Sequence, residues 1–164
     1  MSYARFAAMI TVSTVVMFGL MYVNTWSLDH LFFSQTRGWM ALLMGAAMAV
    51  IMLAFMWSMY RNLKAKIAIM IAGALVLAMS LWLIRSQETV SDIAYMKAMI
   101  PHHSIAVMTS DRARIRDPRV RRLADGIIEA QMREIGQMKA LINDLQSNPS
   151  PAGSPDLPPK RVGQ

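Results

Sequence analysis

The chain has 164 residues, 55% of them hydrophobic, a formal charge of +7 and no cysteine, and its positive mean hydropathy excludes one ordinary soluble domain. Without cysteine there are no disulfides, thiolate metal sites or thiol catalysis, while the redox compartment stays open. Residues 1–85 carry six basic groups against one acidic and residues 86–146 nine against eight, so the excess charge follows the apolar half and leaves no nucleic-acid footprint.

Three runs, Phe6–Val23, Trp39–Tyr60 and Ile67–Ile84, contain no Asp, Glu, Lys or Arg. At about 1.5 Å per residue each approaches the ~30 Å of a hydrocarbon core, and each is read as a membrane span. Trp26, Trp39, Trp57, Tyr60 and Trp82 lie near their ends, where amphipathic rings favour the interface. The first run follows Arg5 as a signal peptide does, but continues through Val23-Asn24-Thr25-Trp26 without a small-x-small cleavage site, so it is expected to stay as an anchor. His30, beside Asp29 in the first connection, reads as a solvated loop histidine.

Met40, Met44, Met48, Met52 and Met56 recur every four residues in the second run, with Met59 behind them. Such a stripe could pass soft cations, yet Gly45, Ala46, Ala47 and Ala49 beside it favour close helix packing, and no intramembrane charge marks a pathway. The next connection holds Arg61, Lys64 and Lys66, so by the positive-inside tendency it faces the cytoplasm together with Arg5. Three crossings then put everything after Ile84 outside the cytoplasm.

Thr89 or Ser91 can cap an amphipathic helix running to about Ile115, and Asp117-Pro118 restarts a second helix reaching about Gln146. In the second, Val120, Ala124, Ile127, Gln131, Glu134, Met138, Leu141 and Leu145 form the expected inward stripe. From Ser147 the chain is rich in Pro, Gly and Ser and reads as a disordered tail. The organisation is all-α: a membrane region over 1–85, a helical hairpin over 86–146, and a tail over 147–164. A hairpin alone buries little, so it needs another surface. A homodimer forming a four-helix bundle supplies one, and packing against the membrane segment is the alternative.

The chemistry concentrates in Tyr95-Met96-Lys97-Ala98-Met99-Ile100-Pro101-His102-His103, which holds two of the three histidines. Imidazole and thioether donors without cysteine suit monovalent copper or silver better than magnesium or calcium. Met96, Met99, Ile100, His103 and Val107 share one helical face, His102 flanks it, and Met108 falls about 120° from Met96. A tight turn at 116–117 places His103 opposite Ala130 and Gln131, Met99 opposite Glu134, and Met96 opposite Gln137 and Met138. Gln131 and Glu134 then read as outer-layer acceptors that fix the imidazole tautomers. The bland reading of the same residues is methionine as core filler and histidines satisfied by a glutamine or glutamate.

The run Met99-Ile-Pro-His102-His103-Ser-Ile-Ala-Val-Met108, followed by Asp117-Pro118, Leu123-Ala124, Ile127-Ile128, Gln131, Glu134-Ile135 and Met138, resembles the bacterial family called domain of unknown function 305, over residues 92–145. The resemblance implies a ferritin-like helical fold and copper or silver binding outside the cytoplasm, with Met99, His102, His103, Met108 and Met138 as ligand candidates; Met96 enters from helical geometry alone. Longer relatives carry a full four-helix unit where this chain has one hairpin behind three spans, which agrees with the dimer. The expected protein is a multi-pass, non-enzymatic copper(I) or silver(I) binder of the bacterial inner membrane, its hairpin on the periplasmic side. Its partners are the lipid bilayer, the metal ion and a second copy, with no nucleic acid. The competing expectation is an assembly protein whose hairpin pairs with another helical protein. No nucleophile-base set, phosphate loop or inward carboxylate pair points to an enzyme.

Overall fold

A computed structural model describes residues 2–151 and 153–158, and among them every regular element is helical. The expected tail at 147–164 lies partly outside the described residues, at 152 and 159–164. Five α-helices follow in order: α1 (Tyr3–Leu20), α2 (Gln35–Phe55), α3 (Leu63–Ser86), α4 (Asp92–Arg112) and α5 (Pro118–Ser147). Short 3-10 turns stand at Leu28–His30 and Trp57–Met59.

Each α-helix starts at a polar cap whose side chain accepts from an otherwise unpaired backbone N–H. Ser2 receives Ala4, Ser34 receives Arg37, Asn62 receives Ala65, Ser91 receives Ala94, and Asp117 receives Arg119 and Val120. The chain leaves α3 through Gln87 in the left-handed region at φ 55°, which turns it into the hairpin.

Helices α1, α2 and α3 are each long and apolar enough to cross a membrane. They begin three to four residues before the uncharged runs, because a capping residue sets a helix start and a charge does not stop it. Helix α2 is central, with α1 and α3 packed against it. A β-carbon at Gly45 would collide with the Thr14 side chain of α1, and one at Gly73 would stand 2.7 Å from Val50 Cγ2 of α2, so both glycines permit close backbone approach. Met52 and Met56 pack on the Phe6, Leu53 and Tyr60 cluster, which gives those two stripe residues a packing role.

Tyr60 lies against Tyr3 with centroids 4.8 Å apart, and the Tyr3 hydroxyl donates to the Asn62 carbonyl at 3.1 Å. The start of α1 and the α2–α3 connection therefore share one end of the three-helix unit. The α1–α2 loop and the hairpin share the other.

Helix α4 is held against that second end along its length. Gln35 Nε2 at the start of α2 donates to Thr89 Oγ1, the Trp26 amide donates to Ser104 Oγ at 2.8 Å, and the Arg112 guanidinium lies 6.0 Å from the Trp26 ring. Phe32 packs on the hairpin core, and Lys139 of α5 donates to Asp29 at 2.5 Å. The surface that the hairpin lacks is thus supplied in part by its own chain. His30, expected in solvent, is buried, with Nδ1 3.0 Å from Ser104 Oγ. Its loop folds back under α4, a long-range contact that local polarity cannot reveal.

Candidate functional site

The buried line of α4 consists of Met96, Ile100, Ser104 and Val107, spaced by three and four residues so that they stack on one face. Met96 and Ile100 meet Ile135 and Ile142 of α5 in the hairpin core, with Met138 packed against the cluster. A second line, Tyr95, Met99 and His103, runs beside the first. It borders a cleft of about 230 Å³ closed on the α5 side by Glu134, Gln137, Met138 and Leu141.

The α5 stripe is rotated from the expected one. Ala124, Ile135 and Ile142 are buried, whereas Val120 is 49% and Leu141 50% exposed, so Ile135 and Ile142 take the inward places expected for Glu134 and Leu141. Glu134 moves to the cleft rim, its side chain 44% exposed, and Gln131 is half-buried and does not line the cleft. Both were expected to face inward; burial of Ile135 in place of a carboxylate avoids the desolvation of a charge.

The register also differs, by about one helical turn. His103 stands beside Glu134, where Ala130 and Gln131 were expected, and Met99 shares the cleft with Met138. The cause is the connection. α4 ends at Arg112, and residues 113–117 are non-helical, with Ala113 and Asp117 both extended. Extended chain advances about 3.3 Å per residue against 1.5 Å in a helix, so the reversal falls further out than a tight turn puts it.

His103 Nδ1 lies 3.2 Å from Glu134 Oε2, but the carboxylate sits off the hydrogen-bonding line, and among the described residues this buried nitrogen makes no hydrogen bond. The pair is an ion pair only when the imidazole is protonated. Burial pushes the His103 pKa down; Glu134 opposes that, and His102 adds to it. The neutral imidazole thereby favoured has a lone pair to offer. A buried ring nitrogen without a partner, in a cleft also lined by Met99 and Met138, fits a soft cation. Among the described residues no three His, Asp or Glu side chains are grouped so as to hold a metal ion by themselves.

The other candidates stand apart. His102 is exposed, its ring centroid 6.1 Å from that of His103, because adjacent helical residues do not share a face. Met96 belongs to the hairpin core, and Met108 is half-buried outside the cleft. Tyr95, Gln137 and Leu141 also line the cleft: Gln137 was expected opposite Met96 and Leu141 on the inward stripe, but none of the three as a site residue, although Tyr95, Met99 and His103 are spaced by four, and Glu134, Gln137, Met138 and Leu141 by three, one and three.

Residues 92–162 match the family described as domain of unknown function, DUF305. An uncharacterized protein of Acanthamoeba polyphaga mimivirus is 33% identical over 108 residues, covering 65% of this chain and 69% of the viral one. No solved structure matches the chain significantly. The matched segment begins at the first residue of α4 and holds the whole hairpin with its cleft: the chain belongs to the domain of unknown function 305 family.

Proposed function

We propose that the protein is a membrane-anchored, non-enzymatic binder of monovalent copper or silver, which it sequesters or hands over through the α4–α5 cleft. The reading rests on one observation: a buried His103 Nδ1, unpartnered among the described residues, in a cleft also lined by Met99 and Met138. These three donors match a soft cation, and Glu134 at the rim would balance its charge. The basic α2–α3 connection supports an inner-membrane orientation with the cleft on the periplasmic side. The open flank of the hairpin supports a homodimer that shields the cleft from water.

Metal content of the purified full chain under reducing conditions tests this reading. Stoichiometric copper is expected in the parent, with at least a tenfold weaker affinity in His103→Ala and a smaller loss in His102→Ala, whose ring lies outside the cleft. A parent with no stoichiometric copper would sink the proposal.

A second reading is an assembly protein whose hairpin pairs with another helical protein. The exposed Val120, Leu123 and Leu141 on α5 favour it. It requires that association weaken on substituting these residues and that added copper change nothing.

A further inference from the structure

The near-neutral hairpin is strongly polarised. Residues 112–122 hold six arginines against one aspartate, while the rest of 86–146 holds three basic groups against seven acidic. The arginines sit at one end, on the last turn of α4, the extended connection and the first turns of α5. Arg119 pairs with Asp117, and Arg121 with Asp125 and the Ser110 carbonyl. Among the described residues Arg112, Arg114, Arg116 and Arg122 are exposed and make no ion pair. Val120 and Leu123, 49% and 65% exposed, interleave with them in the manner of an interfacial segment.

The fold carries this end to the bilayer. Trp26 follows the end of α1 by six residues, is 40% exposed, and is bonded through its amide to Ser104, while its ring lies beside Arg112. The chain is tied to the three-helix unit at Thr89, just before α4, and again at Ser104, and Arg112 at the end of α4 lies beside Trp26, which brings the start of the arginine-rich segment to the loop that follows α1. An exposed tryptophan in that loop marks the headgroup layer. A cluster of unpaired guanidiniums there meets phosphates, which accept paired N–H donors from arginine.

We propose that the arginine-rich tip of the hairpin docks on anionic phospholipid headgroups of the bilayer that holds α1–α3, through Arg112, Arg114, Arg116 and Arg122. The inference does not depend on the metal reading. Each arginine near an anionic surface strengthens attachment about fivefold.

The absence of cysteine allows a single nitroxide to be placed by Ala113→Cys in the full chain. The labelled protein is reconstituted in phosphatidylcholine vesicles with and without about one third phosphatidylglycerol, and collision with a water-soluble nickel chelate is measured. Accessibility is expected to fall about fivefold or more in the anionic vesicles, and the fall should vanish in about 1 M salt or in the Arg114→Gln, Arg116→Gln, Arg122→Gln variant. Equal accessibility in both vesicles would overturn the proposal, as would a fall that survives both salt and substitution. So would an equal fall in neutral vesicles on adding inorganic phosphate or an oligonucleotide alone, which would assign the patch to a free phosphate or to nucleic acid.

Discussion

Ser104 joins the hairpin to the membrane region, and its removal has a calculable consequence. The side chain is fully buried; its Oγ accepts the Trp26 amide at 2.8 Å and lies 3.0 Å from His30 Nδ1. The hydroxyl can meet both groups at once, accepting from Trp26 while sharing a hydrogen bond with His30 Nδ1, and the other ring nitrogen, Nε2, lies 3.8 Å from Asp29. Ser104→Ala removes a partner from both groups. A buried polar group left unpaired costs about 1–3 kcal/mol; the part-buried Trp26 amide belongs at the low end, so the pair costs about 2–4 kcal/mol, or roughly 30- to 1,000-fold in the docking equilibrium. The cavity adds little, since only one oxygen is lost. Hydrogen exchange in the reconstituted protein reads this through the His30 and Leu31 amides, which bond to the Ser27 and Leu28 carbonyls and not to Ser104 itself. Their exchange should accelerate by at least about 30-fold while the α2 interior is unchanged. Protection that stays within about threefold of the parent would refute the claim that Ser104 holds the loop to the hairpin.

Acid should loosen the same contact. Burial lowers the His30 pKa below its ordinary 6.5, with Asp29 opposing and Lys139 adding, so an undocked loop takes up a proton first. Docking stability is then complete above 6.5 and is lost as pH falls below it, by at most about 1.4 kcal/mol per pH unit. Exchange of the loop amides, corrected for intrinsic rates, should show this loss, and His30→Gln should flatten it. Asp29, held down to about 2 chiefly by the Lys139 hydrogen bond, contributes stability above 3.8 that falls away only as pH drops toward 2, so it leaves the histidine window clear. Thermal unfolding in detergent should separate two kinds of glycine. Gly126→Ala and Gly136→Ala on α5, where an added methyl meets nothing within 4 Å, should each stabilise by about 1 kcal/mol. Gly73→Val, facing Val50, should destabilise by about 1–3 kcal/mol through overpacking.

The membrane helices were legible because uncharged runs of spanning length are a property of consecutive residues. The hairpin was legible because Ser91 and Asp117-Pro118 are local start signals, and both caps are formed in the structure. Within the cleft, Met99 and His103 follow from their spacing of four on α4. The pairing across the hairpin does not. It depends on how far residues 113–117 extend before the chain reverses, and a turn assumed tight shifts every facing pair by a turn. The α5 stripe was missed for a related reason: Ile127 and Ile128, or Leu141 and Ile142, are adjacent apolar residues, and hydrophobicity cannot say which of two neighbours points inward. The arginine-rich tip is plain in the sequence, but averaging charge over the whole hairpin conceals it.

By itself the sequence determined what short-range physics governs: which segments are helical, which are apolar enough to cross a membrane, and where soft ligands concentrate. Tertiary structure decided which of those ligands meet. Met96 went to the core, His102 and Met108 fell outside the cleft, and Met99, His103 and Met138 came to share it. It also turned His30 from an apparent loop residue into the buried partner of Ser104, 74 positions away. A contact across that separation is set by the packing of α4 on the α1–α2 loop, and no local pattern of residues encodes it.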